Sequence, residues 1–496
     1  MKKIVIIGSG IAGLSAGSYL QMNGYDTEIF EAQPQAGGLC AAWQRKGYLI
    51  DGCIHWFVGC NPSDDMYRIW DALVDMKRFP FVVYDEFCSV AYKGSVTRLY
   101  ADADKMNREL KGISPADGAA IDELTSVIKR FAVLRFPSGK AMETMSAVEK
   151  TVMIGKMLPF FLALLKWRIP AMKYAARFKS EQIRHFLTSS LGNKTSMSIW
   201  LLNASWFYNK NAGYPVGGAR ELINRLVKKY ESLGGKIHYA SRVSKITVEN
   251  DAVKGIVLEN GASYGADRVI SAADGRTTIF KMLEERYRDK NINKLYYSGK
   301  YEPKSSGIYV SLGVARKFDE SYKPYVYFDL KDPIVVDGVE LKTLGVTVHN
   351  FDPKAAPDGK TVLTVLVKTT DPKAWIKLRS ENKKEYDAKK DALSARVIDE
   401  LDGYFGNIKN KLEMVDVVTP ATYARYTGNW NGAIMGWTDP KLLLQKPKKE
   451  IRGLKNFYMC GQWVADTGLP GAVKSGRDIT QILCKKDGKQ FSDNLR

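Results

Sequence analysis

Histidine is scarce in this chain: four residues in 496, His55, His185, His238 and His349, with no two closely spaced. The six cysteines form no CxxC pair. These shortages exclude the His/Cys clusters that hold zinc or iron, so no metal is expected. They also speak against a disulfide framework, and the thiols are expected to be free in a reducing cytosol. No uninterrupted run of eighteen apolar residues occurs, which excludes an ordinary membrane-spanning helix. Acidic residues are in short supply as well. The 74 Lys and Arg against 54 Asp and Glu leave a formal charge of +20, which suits an anionic ligand, anionic lipid or nucleic acid. No nucleic-acid module with interleaved basic and aromatic residues accompanies the charge, so nucleic acid is not an expected partner. The length exceeds one compact core and predicts two or more packed units.

What the chain does have begins at its first residues. Lys3 to Ile7 reads as a short buried strand, followed by Gly8-Ser9-Gly10-Ile11-Ala12-Gly13 and a helix to about Asn23. Gly24 suits the helix exit, and a second strand, Asp26 to Phe30, ends at Glu31. A secretory signal has two lysines and an apolar run in common with this start, but needs neither these glycines nor an acid after a second strand. Gly8 permits the tight turn, and Gly10 lets backbone approach a pyrophosphate. Gly13, with Gly17 one turn later, lets the helix lie close to the sheet. The helix N-terminus offers free N–H groups to phosphate, and Glu31 is placed to accept from a ribose. The pattern predicts a dinucleotide site, the alternative being a glycine-rich loop in some other βαβ unit.

A second glycine pair, Gly37-Gly38, and the run GYLIDGCIHWFVG (Gly47 to Gly59) turn the choice from NAD to FAD. Glutamate, double glycine and a strand ending in Asp51-Gly52 resemble the amine-oxidase-like flavoproteins, whose double glycine passes close to the extended cofactor. Downstream, GYPVGGARELINRLV reads as a loop and amphipathic helix, with strands following to Ala272. The terminal NFYMCG reads as a strand. GQWVADTGLPGAVKSG supplies a loop and a helix starting near Ala472, with Pro470 and Gly471 just before it. Such a helix would aim its positive end at the flavin ring.

With these motifs the chain resembles the phytoene desaturase, carotenoid isomerase and retinol saturase group of FAD proteins over most of its length. FDPKAAPDGKTVLTVLV (Phe351 to Val367) resembles the group's substrate-domain strand-turn-strand, and TPATYARYTGNWNGAIMGW (Thr419 to Trp437) its segment leading back to the flavin. The resemblance implies FAD held by Gly8, Gly10, Ile11, Ala12, Gly13, Glu31, Ala32, Gly37, Gly38, Leu39, His55, Val243, Gly461, Gln462, Leu469, Pro470, Gly471 and Ala472. It implies hydride transfer between flavin N5 and a carbon of a long apolar substrate: desaturation, saturation or isomerisation. Gln462 stands where other flavin oxidases carry an acid. No catalytic residue is assigned; His55 is a candidate for proton transfer, and Tyr423, Arg425 and Tyr426 are candidates for lining the substrate path. Two alternatives share the architecture: an amine oxidase, and a non-catalytic lipid carrier like the GDP-dissociation inhibitors. The intact glycines and Glu31 weigh against the carrier.

Residues 151–210 carry nine Lys and Arg against one acid, Glu181, a local net of +8. Their apolar core is broken by Lys156, Pro159, Lys166 and Pro170, which suits an element at a membrane interface or a cap over the substrate cavity. The expected fold is α/β. A Rossmann-like FAD-binding domain is drawn from residues 1–72, 213–292 and 447–496. A mixed-sheet substrate domain uses 73–110 and 293–446, and a helical cap uses 111–212. Only one GxGxxG occurs, so no separate NAD(P)H domain is expected. A lipophilic small molecule is the expected partner, and the expected location is cytoplasmic, with peripheral contact to a membrane surface.

Overall fold

The computed structural model describes residues 1–134, 138–190, 195–303, 305–319, 321–438, 442 and 447–493. Its first layer is a parallel sheet of five strands: β1 (Lys3–Ile7), β2 (Asp26–Phe30), β3 (Lys236–His238), β4 (Arg268–Ser271) and β5 (Phe457–Met459). The strand order is β3-β2-β1-β4-β5, every neighbouring pair being parallel. β1 lies in the centre, covered on both faces, which is why its sequence is a continuous apolar run rather than an alternating one. The order reverses direction beside β1, and ligands of such sheets bind in the crevice outside the strand ends at that point.

The two ends of the chain are locked together against this sheet. Helix Ile11–Met22 packs on helix Gly468–Lys486. At Gly476 an added Cβ would stand 2.5 Å from the Ala16 nitrogen and 2.6 Å from the Ala12 carbonyl, so backbone meets backbone there. The Ser15 hydroxyl donates to the Val473 carbonyl at 2.7 Å, and the Gly461 N–H donates to the Ser475 hydroxyl at 2.8 Å. Gly13 allows the helix to sit against the Gly8 carbonyl and Ala272. Gly17 differs from expectation: its close neighbour is chiefly the Tyr230 ring, 2.7 Å from an added Cβ, with Ile29 of the sheet at 3.2 Å. The tyrosine reaches under the helix because its hydroxyl bonds to the Thr27 carbonyl.

The second layer is a seven-stranded sheet. Its order is Leu412–Val418, Gly307–Val314, Thr361–Lys368, Val339–Val348, Tyr325–Val336, Glu86–Tyr92 and Ser95–Tyr100. It is mixed: Tyr325–Val336 and Glu86–Tyr92 run parallel, and the other neighbours are antiparallel. The expected strand-turn-strand over 351–367 is one strand only, Thr361–Lys368, preceded by a turn. Pro353 and Pro357 cannot donate to a ladder, and the Asp352 carboxylate instead accepts from Gly217 N–H and Lys354 N–H.

Helices make the third layer, among them Gly118–Ala132, Ala147–Lys166 and Met197–Tyr208. Ala147–Lys166 opens with a capping box between Ser146 and Glu149. It runs unbroken through Pro159, contrary to the interruption expected there. A single proline removes one hydrogen bond, and twenty residues of helix with a firm cap absorb that loss. Only Met153 and Met157 of this helix are buried. Among the described residues no helix is long and apolar enough to cross a membrane.

Candidate active site

One cavity of about 3050 Å³ joins the three layers. It is several times the roughly 300–1,000 Å³ of an ordinary ligand pocket, so it has space for two bound molecules side by side. One end lies at the carboxyl edge of the parallel sheet. Ile7 and Gly8 at the end of β1, Phe30 to Ala32 at β2, Ala272 to Asp274 after β4, and Gly461 to Trp463 after β5 all line it. Gly10, Ile11, Ala12, Gly37, Gly38, Leu39, His55 and Val243 join them, as do Leu469, Pro470, Gly471 and Ala472. The structure therefore gathers every residue expected to hold the cofactor around one space except Gly13, which lies beneath the turn.

The local geometry suits an anion with a ribose. Helix Ile11–Met22 has no side-chain cap and no acid in its first turn, so its leading N–H groups are open to a ligand. Glu31 is anchored: its Oε2 accepts from Ser9 N–H at 2.8 Å and Ser9 Oγ at 2.7 Å, and its Oε1 from Gln33 N–H at 2.9 Å. A carboxylate has about four acceptor positions, so one on Oε1 remains for a hydroxyl. The double glycine lies against the turn, Gly37 N–H donating to the Ser9 carbonyl at 3.0 Å.

The terminal helix starts earlier than the sequence suggests, at Gly468 with Thr467 as N-cap, not near Ala472. Pro470 falls in the first turn, where a missing N–H costs nothing because that group has no partner within the helix. Thr467 makes no side-chain cap, and this second helix end also faces the cavity. Gly471 is needed for a close approach to the Asp466 carbonyl, which an added Cβ would meet at 2.0 Å.

His55 sits in the wall with Nε2 3.0 Å from the Tyr309 hydroxyl, and its carbonyl accepts from the Tyr325 hydroxyl at 2.5 Å. Burial, helped by the Lys368 charge, brings its pKa down to about 4, so the ring is neutral near pH 7. Tyr423 and Tyr426 also line the cavity. Arg425 does not; it stacks on Tyr426. Sequence reasoning missed Tyr309, Tyr325 and Asp274, all of which line the same space. Asp274, buried, accepts from Thr277 N–H at 2.7 Å and Trp430 N–H at 3.0 Å, which ties the end of β4 to the 419–437 segment.

His349, also buried, is likewise held down to about 4 by burial and by His55. Unfolding returns both rings to about 6.5. The unfolded chain then binds more protons below that pH, so stability is full above about 6.5 and falls as the pH drops toward 4. At about 1.4 kcal/mol per pKa unit, each ring withdraws up to roughly 3 kcal/mol over that window. Urea melts near pH 7 and near pH 5 will show the lower midpoint at the acid value; equal midpoints would contradict the burial of these rings.

All six cysteines are unpaired. Among the described residues no group of His, Cys, Asp and Glu is arranged to hold a metal ion.

Comparison with known proteins agrees with this geometry. The flavin containing amine oxidoreductase family matches residues 11–483, nearly the whole chain. The chain belongs to that family. Among its relatives is a 4,4'-diapophytoene desaturase (4,4'-diapolycopene-forming) of Methylomonas sp, 23% identical, covering 99% of this chain and 97% of the relative. A chloroplastic prolycopene isomerase of Daucus carota is 23% identical over 97% of this chain and 78% of its own. An inactive all-trans-retinol 13,14-reductase of Danio rerio is 23% identical over 95% of this chain and 84% of its own. Among solved structures, cyclohexylamine oxidase from Brevibacterium oxydans superposes with a TM-score of 0.60 at 14% identity, covering 98% of this chain and 100% of its own. An oxidoreductase from Methanosarcina mazei gives 0.58 at 18% identity, covering 97% and 100%. At that identity the likeness is one of fold.

Proposed function

We propose that this protein is an FAD-dependent oxidoreductase acting on C–C or C=C bonds of a lipophilic, unsaturated substrate. The observation that carries the reading is one continuous cavity, which runs from the turn after β1 to an apolar wall on helix Ala147–Lys166. Bound FAD would supply a hydride donor or acceptor. The chain's own residues would do the rest. The capless ends of helices Ile11–Met22 and Gly468–Lys486 would receive the cofactor's anionic groups. Glu31 would accept a ribose hydroxyl, and Gly37-Gly38 and Val243 would flank the chain of the cofactor. Met153, Met157, Phe160 and Leu164 would exclude water from the substrate. The desaturase and isomerase relatives favour this substrate class over amines. The test is anaerobic mixing of flavin-loaded protein, oxidised or reduced, with polyenes and unsaturated lipids. Spectral turnover with these supports the proposal; turnover with small amines alone overturns it.

The same reading puts helix Ala147–Lys166 at a lipid surface. Leu165 is 64% exposed and Val148 72%, with Val152, Ile154, Leu158 and Leu162 exposed beside them. Lys150, Lys156 and Lys166 are exposed on the same helix and Arg168 just beyond its end, and anionic lipid attracts each by about 1 kcal/mol. A Leu158→Ser, Leu162→Ser, Leu165→Ser variant is expected to keep its fold and flavin. Its co-sedimentation with phosphatidylserine vesicles should weaken at least about tenfold, since each leucine withdrawn from lipid forfeits on the order of 1 kcal/mol or more. Undiminished vesicle binding would remove this part of the proposal.

A further inference from the structure

The cavity wall is largely apolar, but beside the dinucleotide turn it carries three polar rings. His55, Tyr309 and Tyr423 line it together. The His55 and Tyr309 rings stack at 6.0 Å, and Tyr423 meets Tyr309 edge-on at 6.3 Å. Around the two tyrosines pack Leu39, Leu366 and Ile434, which are apolar, and Trp43, whose one polar atom is its indole N–H. Tyr423 is only 7% exposed, and its hydroxyl has no hydrogen-bond partner. An unpaired buried hydroxyl costs about 1–3 kcal/mol, a cost that phenylalanine would avoid in the same space. Packing alone gives no reason for the oxygen.

The neighbouring pair has donor capacity to match. Burial holds both phenols above their ordinary range, so both stay protonated. The His55 ring is bonded through Nε2. With the proton on Nε2, the imidazole donates to the Tyr309 oxygen, and the Tyr309 O–H is left to point elsewhere. Both tyrosines line the wall, and two O–H donors match the two lone pairs of one carbonyl or hydroxyl oxygen.

We propose that Tyr309 and Tyr423, with His55 behind Tyr309, form a recognition point for a single uncharged oxygen on an otherwise apolar substrate. The inference rests on the lipophilic-substrate reading and narrows it: the cavity takes oxygen-bearing unsaturated lipids in preference to pure hydrocarbons. Tyr309 and Tyr423 are specificity-determining here, and His55 is a positioning residue that orients the Tyr309 hydroxyl.

The test is equilibrium binding to the flavin-loaded protein of all-trans-retinal and of the hydrocarbon that lacks only its oxygen, read as a shift of the flavin spectrum. Wild type is expected to prefer the aldehyde at least about tenfold, the worth of one good hydrogen bond in a buried site. Tyr423→Phe and Tyr309→Phe should each remove most of that preference while leaving hydrocarbon affinity unchanged. A purely structural role for Tyr423 predicts instead a variant of equal or higher stability with the wild-type preference intact, and that result overturns the inference. Equal wild-type affinity for both ligands also overturns it, while the lipophilic reading survives. Binding of neither ligand sinks both.

Discussion

A Gly10→Val variant is expected to fold with wild-type stability and to purify without flavin. Gly10 has φ −70° and ψ 177°, a conformation open to any residue. An added Cβ would meet nothing closer than the Gly37 carbonyl at 3.7 Å and Gly38 Cα at 4.0 Å, both ordinary contacts. The protein therefore makes no demand for glycine at this position. The demand comes from the cavity side, where the backbone must come close to a pyrophosphate and a side chain would occupy its place. Gly8 is different, since its φ of +98° would strain any other residue and a substitution there would confuse fold with function. Cofactor affinity should fall at least about a hundredfold at Gly10→Val, a loss of roughly 2.7 kcal/mol or more. Flavin absorbance per chain and a thermal melt of the flavin-free protein check it. A valine variant that retains full flavin would mean that the phosphates lie elsewhere.

Asp51→Ala is expected to be the most destabilising single change outside the hydrophobic core. The buried Asp51 carboxylate accepts four hydrogen bonds. Oδ1 takes Cys53 N–H at 2.8 Å and Ile54 N–H at 2.9 Å; Oδ2 takes the Tyr214 hydroxyl and Ala219 N–H, each at 2.9 Å. It thus caps helix Gly218–Ser232 from a strand 168 residues away and shapes the loop that carries His55. Burial raises its pKa, and the backbone and tyrosine donors oppose that rise. Alanine would leave those donors unpaired in the interior at about 1–3 kcal/mol each, so a loss of roughly 4 kcal/mol or more is expected. Asparagine keeps one acceptor oxygen and should fall between. Urea midpoints of the three proteins test the order, and an alanine variant as stable as wild type would contradict the assigned role.

These two residues also mark how far the sequence can be read. The β1–Gly13–Glu31 unit was legible because its signals are local: an apolar run, glycines at fixed spacing, an acid closing the next strand. The return of the chain to the same sheet at β4 and β5 was legible for the same reason. Asp51 was visible as part of a motif and Tyr214 as part of another, but their bond is a long-range contact that spacing does not encode. Tyr309 was hidden differently. Strand Gly307–Val314 is buried along its whole length, so alternation, which tells a cavity face from a core face, is missing from its sequence. The start of the last helix was misplaced because Pro470 and Gly471 read as a boundary, whereas a proline is tolerated anywhere in a first turn. The mixed sheet agrees with expectation.

On the proposed function, a flavin and a lipophilic unsaturated molecule would share one cavity. This is tested most directly by the visible spectrum of flavin-loaded protein under anaerobic titration with a polyene, beside a matched titration with a small aliphatic amine. The polyene is expected to perturb or bleach the flavin bands at stoichiometric amounts, and the amine to leave them unchanged. Bleaching by the amine alone, or protein that takes up no flavin at all, would contradict the proposal.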